Sequence, residues 1–167
     1  LGMNLTHYKN KVTDLPLKDM PRSGVNKLQV GRSVYDFYMI EWAGVDPENG
    51  DPLWYMDEKD ANKNPTGRRV TTNDYSSADY YYVNKSSLPK VYGGFNTSLS
   101  WKGFDLSAIF AYSIGGYIYN RDITMILHNG SLEGRDWSTE ILKRSTPYNR
   151  YKDVPALTTT SNNSNYA

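Results

Sequence analysis

Residues 90–114 read KVYGGFNTSLSWKGFDLSAIFAYSI, and apolar side chains alternate with small or polar ones along both halves of this stretch. Only Lys102 and Gly103 lie between the halves, which is the length of a tight β-hairpin turn. Such a turn sets three apolar pairs opposite one another: Trp101 with Phe104, Leu99 with Leu106, and Phe95 with Phe110. The sequence therefore predicts an antiparallel hairpin with one continuous apolar face.

The length of the two arms favours a membrane environment for this hairpin. Each arm has roughly ten residues, which is about what a tilted strand needs to cross a bilayer. The opposite face carries mainly Ser, Asn and Gly, where a solvated sheet usually carries Lys and Glu. A soluble sheet with one buried face gives the same alternation, but its strands are usually shorter, at about five or six residues. The predicted lipid-facing side chains are Phe95, Leu99, Trp101, Phe104, Leu106 and Phe110.

The composition agrees with an all-β protein. The chain has 15 Tyr and 13 Gly in 167 residues and lacks long runs with helical apolar spacing. Its net charge of +1 argues against a nucleic-acid partner, since Arg68 and Arg69 are the densest basic spot. The absence of Cys excludes disulfides and thiolate metal sites.

The predicted fold is an antiparallel segment of a large transmembrane β-barrel with long extracellular loops. Residues 1–15 are predicted to be a barrel strand that begins in the middle of its pattern, as a piece of a longer chain would. Residues 16–89 form a long extracellular excursion with a small hairpin, 33–45 and 52–56, that turns at 46–51. Residues 57–72 are expected to be a polar, exposed loop. The transmembrane hairpin covers 90–120.

Residues 121–167 are predicted to be a second extracellular loop with one short helix. Asp136 can cap this helix, which would run through 137–144 before Pro147 prevents its continuation. The tail 158–165 contains only Thr, Ser and Asn, so we expect it to be mobile.

Aromatic residues on the loops are the candidate ligand-binding site. Flat rings on loops can contact sugars and peptides, and recognition commonly resides on loops. The alternative is that these rings pack a small core of the excursion itself. The candidate residues are Trp42, Trp54, Tyr55, Tyr80 and Tyr81.

Catalytic and metal sites are not predicted. His7 and His128 have no partner at metal-ligand spacing, and no nucleophile motif is present. Three oxygen-bearing side chains match the start of a calcium loop: Asp60, Asn62 and Asn64. The match ends there, because Pro65 replaces the turn glycine and Thr71 replaces the bidentate glutamate. We expect no metal, no cofactor and no enzymatic activity.

Several segments taken together resemble the SusC/RagA family of TonB-dependent outer-membrane transporters, found in Bacteroidetes-type bacteria. Order and spacing agree with the late part of that family's barrel over nearly the whole chain. The segments that carry the resemblance are VGRSVYDFY at 30–38, EWAGVDPENGDP at 41–52, LPKVYGGF at 88–95, WKGFDLS at 101–107 and GYIYN at 116–120.

This resemblance implies a nutrient importer in the bacterial outer membrane. The family's barrel is filled by a plug, is capped by a SusD-like lipoprotein and is energised by TonB through the plug, which these residues do not include. The cargo implied is an oligosaccharide first, with a peptide as the competing possibility. A secreted or surface all-β carbohydrate-binding module is the alternative function.

Overall fold

The computed structural model describes residues 1–17, 20–128, 134–149 and 153–157. Within these residues the chain consists mostly of antiparallel strands with one short α-helix, which confirms the predicted fold class. The strands in chain order are β1 (Gly2–Thr6), β2 (Asp36–Ile40), β3 (Trp42–Val45), β4 (Pro52–Lys59), β5 (Pro65–Thr72), β6 (Tyr80–Ser86), β7 (Val91–Trp101) and β8 (Phe104–Ile114). None of the described helices has the length and apolar character needed to cross a membrane.

Two compact units make up the chain. The first comprises Leu1–Tyr38 and Tyr82–Tyr119, and the second comprises Met39–Tyr81 and Asn120–Ala167. The main element of the first unit is a three-stranded sheet in the order β1, β7, β8.

The hairpin β7–β8 has the register that the sequence predicts. Lys102 and Gly103 both have positive φ, 47° and 87°, which is the backbone of a type I′ turn and matches the twist of the two strands. Pairing runs without a bulge over eleven residues of each strand. It includes all three predicted pairs: Trp101 with Phe104, Leu99 with Leu106, and Phe95 with Phe110.

Strand β1 extends this sheet on the free side of β7. Met3 lies opposite Phe95 and Leu5 lies opposite Gly93. Gly93 is required here, because a Cβ at this position would lie 2.6 Å from the Tyr112 hydroxyl oxygen and would also collide with the Asn4 carbonyl oxygen. The Tyr112 ring instead reaches across the glycine, and its hydroxyl donates to the Asn4 carbonyl at 3.0 Å. One tyrosine thus ties all three strands together.

The rest of the first unit packs around aromatic rings. Strands β2 and β6 form a two-stranded sheet, and Phe37 of β2 is buried. The Tyr38 and Tyr82 rings lie 4.8 Å apart, and the Tyr82 hydroxyl donates to the Lys27 carbonyl at 3.0 Å. Lys27, in the segment between β1 and β2, is therefore linked to β6, the strand that precedes the hairpin.

The second unit contains a three-stranded sheet in the order β3, β4, β5. Val45 pairs with Pro52 around the 46–51 turn, where Asp46 accepts a backbone hydrogen bond from Gly50. The expectation of a loop at 57–72 is wrong, because β4 continues to Lys59 and β5 begins at Pro65. The last three residues of β4, 57–59, are charged and β5 is mainly polar and exposed, so this stretch carries no apolar alternation that would reveal a strand.

Helical structure in the second unit is displaced from its predicted position. The α-helix is α1 (Arg121–Ile126), whose N-terminus is capped by the Asn120 side chain. The predicted helix at 136–144 is instead a 3-10 helix over Thr139–Lys143, capped by Ser138 and not by Asp136. The tail 158–165 lies outside the described residues.

Candidate membrane surface and aromatic site

One face of the β1–β7–β8 sheet is covered by large apolar side chains, most of which are exposed. Leu106 is 66% exposed, and the Phe95 and Phe110 rings lie 5.9 Å apart side by side on the same face. We call this surface the apolar face. Its exposed members on β7 and β8 are Leu99, Trp101, Phe104, Leu106, Phe110 and Ile114, and Phe95 on the same face is half-buried.

The apolar face continues onto β1, where Met3 and Leu5 are also exposed. An exposed apolar surface this wide is unusual for a water-soluble protein, which seldom leaves more than a few hundred Å² of contiguous apolar surface uncovered. A surface of this kind marks a site of contact with a membrane or with other protein.

The opposite face of the same sheet is lined mainly by small or polar side chains. Asn96, Ser98 and Ser107 lie on it, and Asn4 accepts a hydrogen bond from the Gly94 backbone N–H at 2.6 Å. The exception is Ile109, which lies opposite Asn96 and is 85% exposed. The two faces thus differ in side-chain size and polarity, as the lipid and lumen sides of a barrel wall do.

The candidate ligand-binding aromatics lie in the second unit and do not form one exposed platform. Trp54 is only 2% exposed, and its ring packs against Trp42 at 6.1 Å and Tyr75 at 5.1 Å. Its burial agrees with the alternative that these rings pack a small core, so Trp54 itself offers no surface to a ligand. Tyr75, another aromatic of the same excursion, completes this cluster.

Tyr81 is held by charged neighbours on β4 and β5. Its hydroxyl donates to the Asp57 carboxylate at 2.9 Å, and the Arg69 guanidinium lies 3.8 Å above its ring. Arg69 also forms an ion pair with Glu41 at 2.9 Å. Burial, followed by the hydrogen bond and the negative charge of Asp57, raises the pKa of Tyr81. The phenol is therefore neutral and fixed in place at neutral pH.

Tyr55 on β4 and Tyr80 on β6 are half-buried, as are Trp42 and Tyr81. The Tyr55 backbone donates to the Glu41 carbonyl and accepts from the Asp79 N–H, which fixes β4 between its neighbours. Four of the five predicted rings thus keep part of their surface accessible, each from a rigid strand.

Asp60 closes the turn between β4 and β5. Its carboxylate accepts hydrogen bonds from the backbone N–H groups of Asn62 at 2.8 Å and Asn64 at 2.9 Å. This is the Asx-turn role of aspartate. Across the described residues, His, Cys, Asp and Glu side chains nowhere gather in a group of three or more that could hold a metal ion.

Each of the two histidines makes a hydrogen bond within the fold. The His7 Nδ1–H donates to the Lys90 carbonyl at 2.6 Å, joining the end of β1 to the start of β7. His128 is buried and accepts a hydrogen bond from the Trp137 indole N–H at 3.1 Å. Burial, with a smaller effect of the Arg135 charge, lowers the pKa of His128, so its ring is neutral near pH 7.

Long strands in simple antiparallel register, an exposed apolar face and long connections between strands are the features of a segment of a large transmembrane β-barrel. The chain is similar to the solved structure of the RagAB peptide transporter, with 33% identity and a TM-score of 0.78 over 93% of its length. It is also similar to the RagAB peptide importer in a closed-closed state, at 32% identity and a TM-score of 0.78 over 93% of its length. The open-open state gives 30% identity and a TM-score of 0.77 over 95%.

These likenesses confirm the resemblance to SusC/RagA-type transporters that the sequence predicted. The chain spans 17% of the matched chain in each of the three structures. No protein-family model matches the chain, and no curated protein matches it.

Proposed function

We propose that this chain forms part of the wall and outer loops of a TonB-dependent importer of nutrients in the bacterial outer membrane. The observation that supports the proposal is the exposed apolar face of the β1–β7–β8 sheet, which lipid would cover along the full length of the strands. The likeness to three structures of peptide transporters or importers supports a transport role over an enzymatic one.

The orientation follows from the lengths of the connections. Barrel strands in the outer membrane are joined by short turns on the periplasmic side and by long loops outside. The two-residue turn Lys102–Gly103 then faces the periplasm, and the excursions 16–89 and 121–167 face the outside. There they are available to a SusD-like lipoprotein and to cargo, while TonB acts through a plug outside these residues.

A peptide is the better supported cargo. The family resemblance implied an oligosaccharide first, but Trp54 is buried and offers no ring face to a sugar. The RagAB structures are named for peptide transport. An oligosaccharide could still use the accessible parts of Trp42 and Tyr80, and competition between labelled peptides and glycans for uptake distinguishes the two.

A carbohydrate-binding module is the less favoured function. Such a module would be water-soluble and would enclose its apolar rows between two sheets. Leu99, Leu106 and Phe110 instead lie on an open surface. Recovery of the intact protein from the membrane fraction only after detergent extraction would support the importer, and recovery as a soluble monomer would support the module.

Two neighbouring residues of β8 test the proposal directly. Phe110 and Ile109 are both apolar, both exposed and close to the middle of the strand, but they lie on opposite faces. In the intact protein, Phe110→Arg should impair assembly, because an arginine facing lipid at mid-depth costs about 2 to 4 kcal/mol. Ile109→Arg faces the lumen and should assemble nearly normally.

The measurement is the amount of folded, heat-modifiable protein in the outer-membrane fraction, followed by uptake of a labelled peptide pool. Equal tolerance of the two arginines would contradict the lipid-facing assignment. Normal assembly of the unmodified protein without any uptake dependent on TonB would contradict the importer.

A further inference from the structure

A cleft of about 380 Å³ lies in the first unit where β1 ends and β7 begins. Its walls come from three stretches of chain: residues 7–11 after β1, residues 31–36 before and at the start of β2, and residues 86–90 before β7. The volume falls within the range of about 300 to 1,000 Å³ typical of small-molecule sites.

The backbone around this cleft is fixed by hydrogen bonds. Val12 and the 31–32 segment exchange two of them, from Val12 N–H to the Arg32 carbonyl and from Gly31 N–H to the Val12 carbonyl, both at 2.8 Å. The Asn10 side-chain oxygen accepts from the Ser33 hydroxyl at 3.2 Å and the Val34 N–H at 3.0 Å. The cleft is therefore a formed feature of the unit.

Positive charge predominates on its walls. Four cationic side chains line the cleft, Lys9, Lys11, Arg32 and Lys90, against the single carboxylate of Asp36. The Arg32 guanidinium is engaged, since it donates to the Asn84 side chain at 3.0 Å and lies over the Tyr82 ring. In the part of the chain that the structure describes, none of the three lysines forms an ion pair.

Lysine ammonium groups that lack a protein carboxylate are suited to an anion. A phosphate group carries up to two negative charges on several acceptor oxygens, and each ammonium can donate to one of them in a charge-assisted hydrogen bond. The Asp36 carboxylate accepts from the Ser33 backbone N–H at 3.3 Å, so part of its hydrogen-bonding capacity is taken up within its own loop.

The position of the cleft along the membrane normal indicates where such a phosphate could come from. It lies at the opposite end of β7 from the Lys102–Gly103 turn, and eleven residues of strand span about 35 Å. At a tilt of about 40° this corresponds to about 27 Å along the membrane normal, close to the thickness of the hydrocarbon core. With the turn on the periplasmic side, the cleft is level with the headgroups of the outer leaflet.

We propose that this cleft binds a phosphate group, supplied either by a lipid headgroup of the outer leaflet or by free phosphate in solution. The lipid source rests on the proposed function, because it needs the hairpin to span the membrane. Binding of free phosphate needs only the cleft.

The test uses the intact protein with a pair of charge-matched double variants. Lys9→Gln with Lys11→Gln removes two ammonium groups from the cleft. Lys59→Gln with Lys63→Gln removes the same charge from exposed positions on and next to β4. Inorganic phosphate is titrated by calorimetry in detergent, and phosphatidic acid is presented in phosphatidylcholine nanodiscs and its retention read by native mass spectrometry.

The cleft variant should bind either probe at least about tenfold more weakly, because it lacks two ammonium groups that donate charge-assisted hydrogen bonds to the phosphate, whereas the control should bind normally. Retention of phosphatidic acid without binding of inorganic phosphate identifies the lipid source, and binding of inorganic phosphate without retention of phosphatidic acid identifies the soluble one. Binding of both probes, each weakened in the cleft variant, supports the phosphate site with either source. Binding of neither probe, or equal loss in both variants, overturns the proposal.

Failure of the importer proposal has a different signature. If the protein does not insert into nanodiscs but the cleft lysines still bind inorganic phosphate in solution, the membrane assignment fails and the phosphate site stands. If it inserts and transports but binds neither probe, only the phosphate site fails.

Discussion

Tyr81 shows how a single side chain can hold a loop strand in place. Its hydroxyl donates to Asp57 and its ring lies under Arg69, so it joins β4, β5 and β6 of the second unit. A neutral phenol fits these contacts, whereas a phenolate beside the Asp57 carboxylate would be repelled. The raised pKa of Tyr81 therefore favours the folded form below the ordinary tyrosine pKa near 10.

The sign of this pKa shift predicts an alkaline weakness. Above about pH 10 the unfolded chain loses the Tyr81 proton more readily than the folded chain, so this contribution to stability decreases as pH rises toward the folded pKa. Tyr81→Phe should lower stability at neutral pH by about 0.5 to 1.5 kcal/mol and should reduce the further loss on going to alkaline pH.

Denaturation of the intact protein at pH 7 and pH 11 measures both effects, with the exposed Tyr148→Phe as the control. An unchanged pH dependence in the Tyr81→Phe variant would show that the hydrogen bond to Asp57 does not control the ionisation.

At the scale of the element, the three-stranded sheet depends on close contact between Gly93 and Tyr112. Any Cβ at position 93 displaces the Tyr112 ring, whose hydroxyl otherwise bonds to β1. Gly93→Ala should therefore weaken the pairing of β1 with β7. It should also lower the temperature at which the intact barrel unfolds, which is read from the change in its gel mobility on heating.

Gly94→Ala is the matched control, because a Cβ there has its nearest neighbour at 3.3 Å, the Phe110 carbonyl oxygen, and faces the opposite side. A larger effect at position 94 than at 93 would contradict the importance of the tyrosine contact.

The hairpin was the element that could be predicted most completely from sequence. Alternation fixes the face of each residue, and the Lys102–Gly103 turn fixes the register, so local information was sufficient for β7 and β8. The β4–β5 pair was missed because residues 57–72 are polar on both sides. The pairing of β4 with β5 is closed by the Asp60 turn, and a turn of this kind leaves no periodic apolar pattern in the sequence.

The candidate site was less predictable for a related reason. Trp54 and Tyr55 are adjacent aromatics on one strand, and sequence offers no means of saying which one points inward. The structure buries Trp54 against Tyr75, a residue 21 positions away, and leaves Tyr55 half-buried. The cleft between 7–11, 31–36 and 86–90 likewise unites segments that only the folded chain brings together.

For the molecule as a whole, the assigned membrane topology depends on whether lipid or protein covers the apolar face. If lipid covers it, the long strands, the short inner turn and the basic cleft at headgroup depth belong to one arrangement. If protein covers it, the strands form an ordinary sheet core and the topology assigned to the loops has no basis.

Site-directed spin labelling of β7 and β8 in the intact protein, reconstituted in liposomes, tests this most directly. Since the chain has no Cys, each label occupies a unique position in it. Labels at Leu99, Leu106 and Phe110 should be accessible to oxygen dissolved in lipid, and labels at Ser98 and Ser107 should be accessible to a water-soluble nickel reagent or shielded from both. A two-residue alternation in oxygen accessibility is the predicted result, and uniformly low oxygen accessibility on both faces would contradict the account.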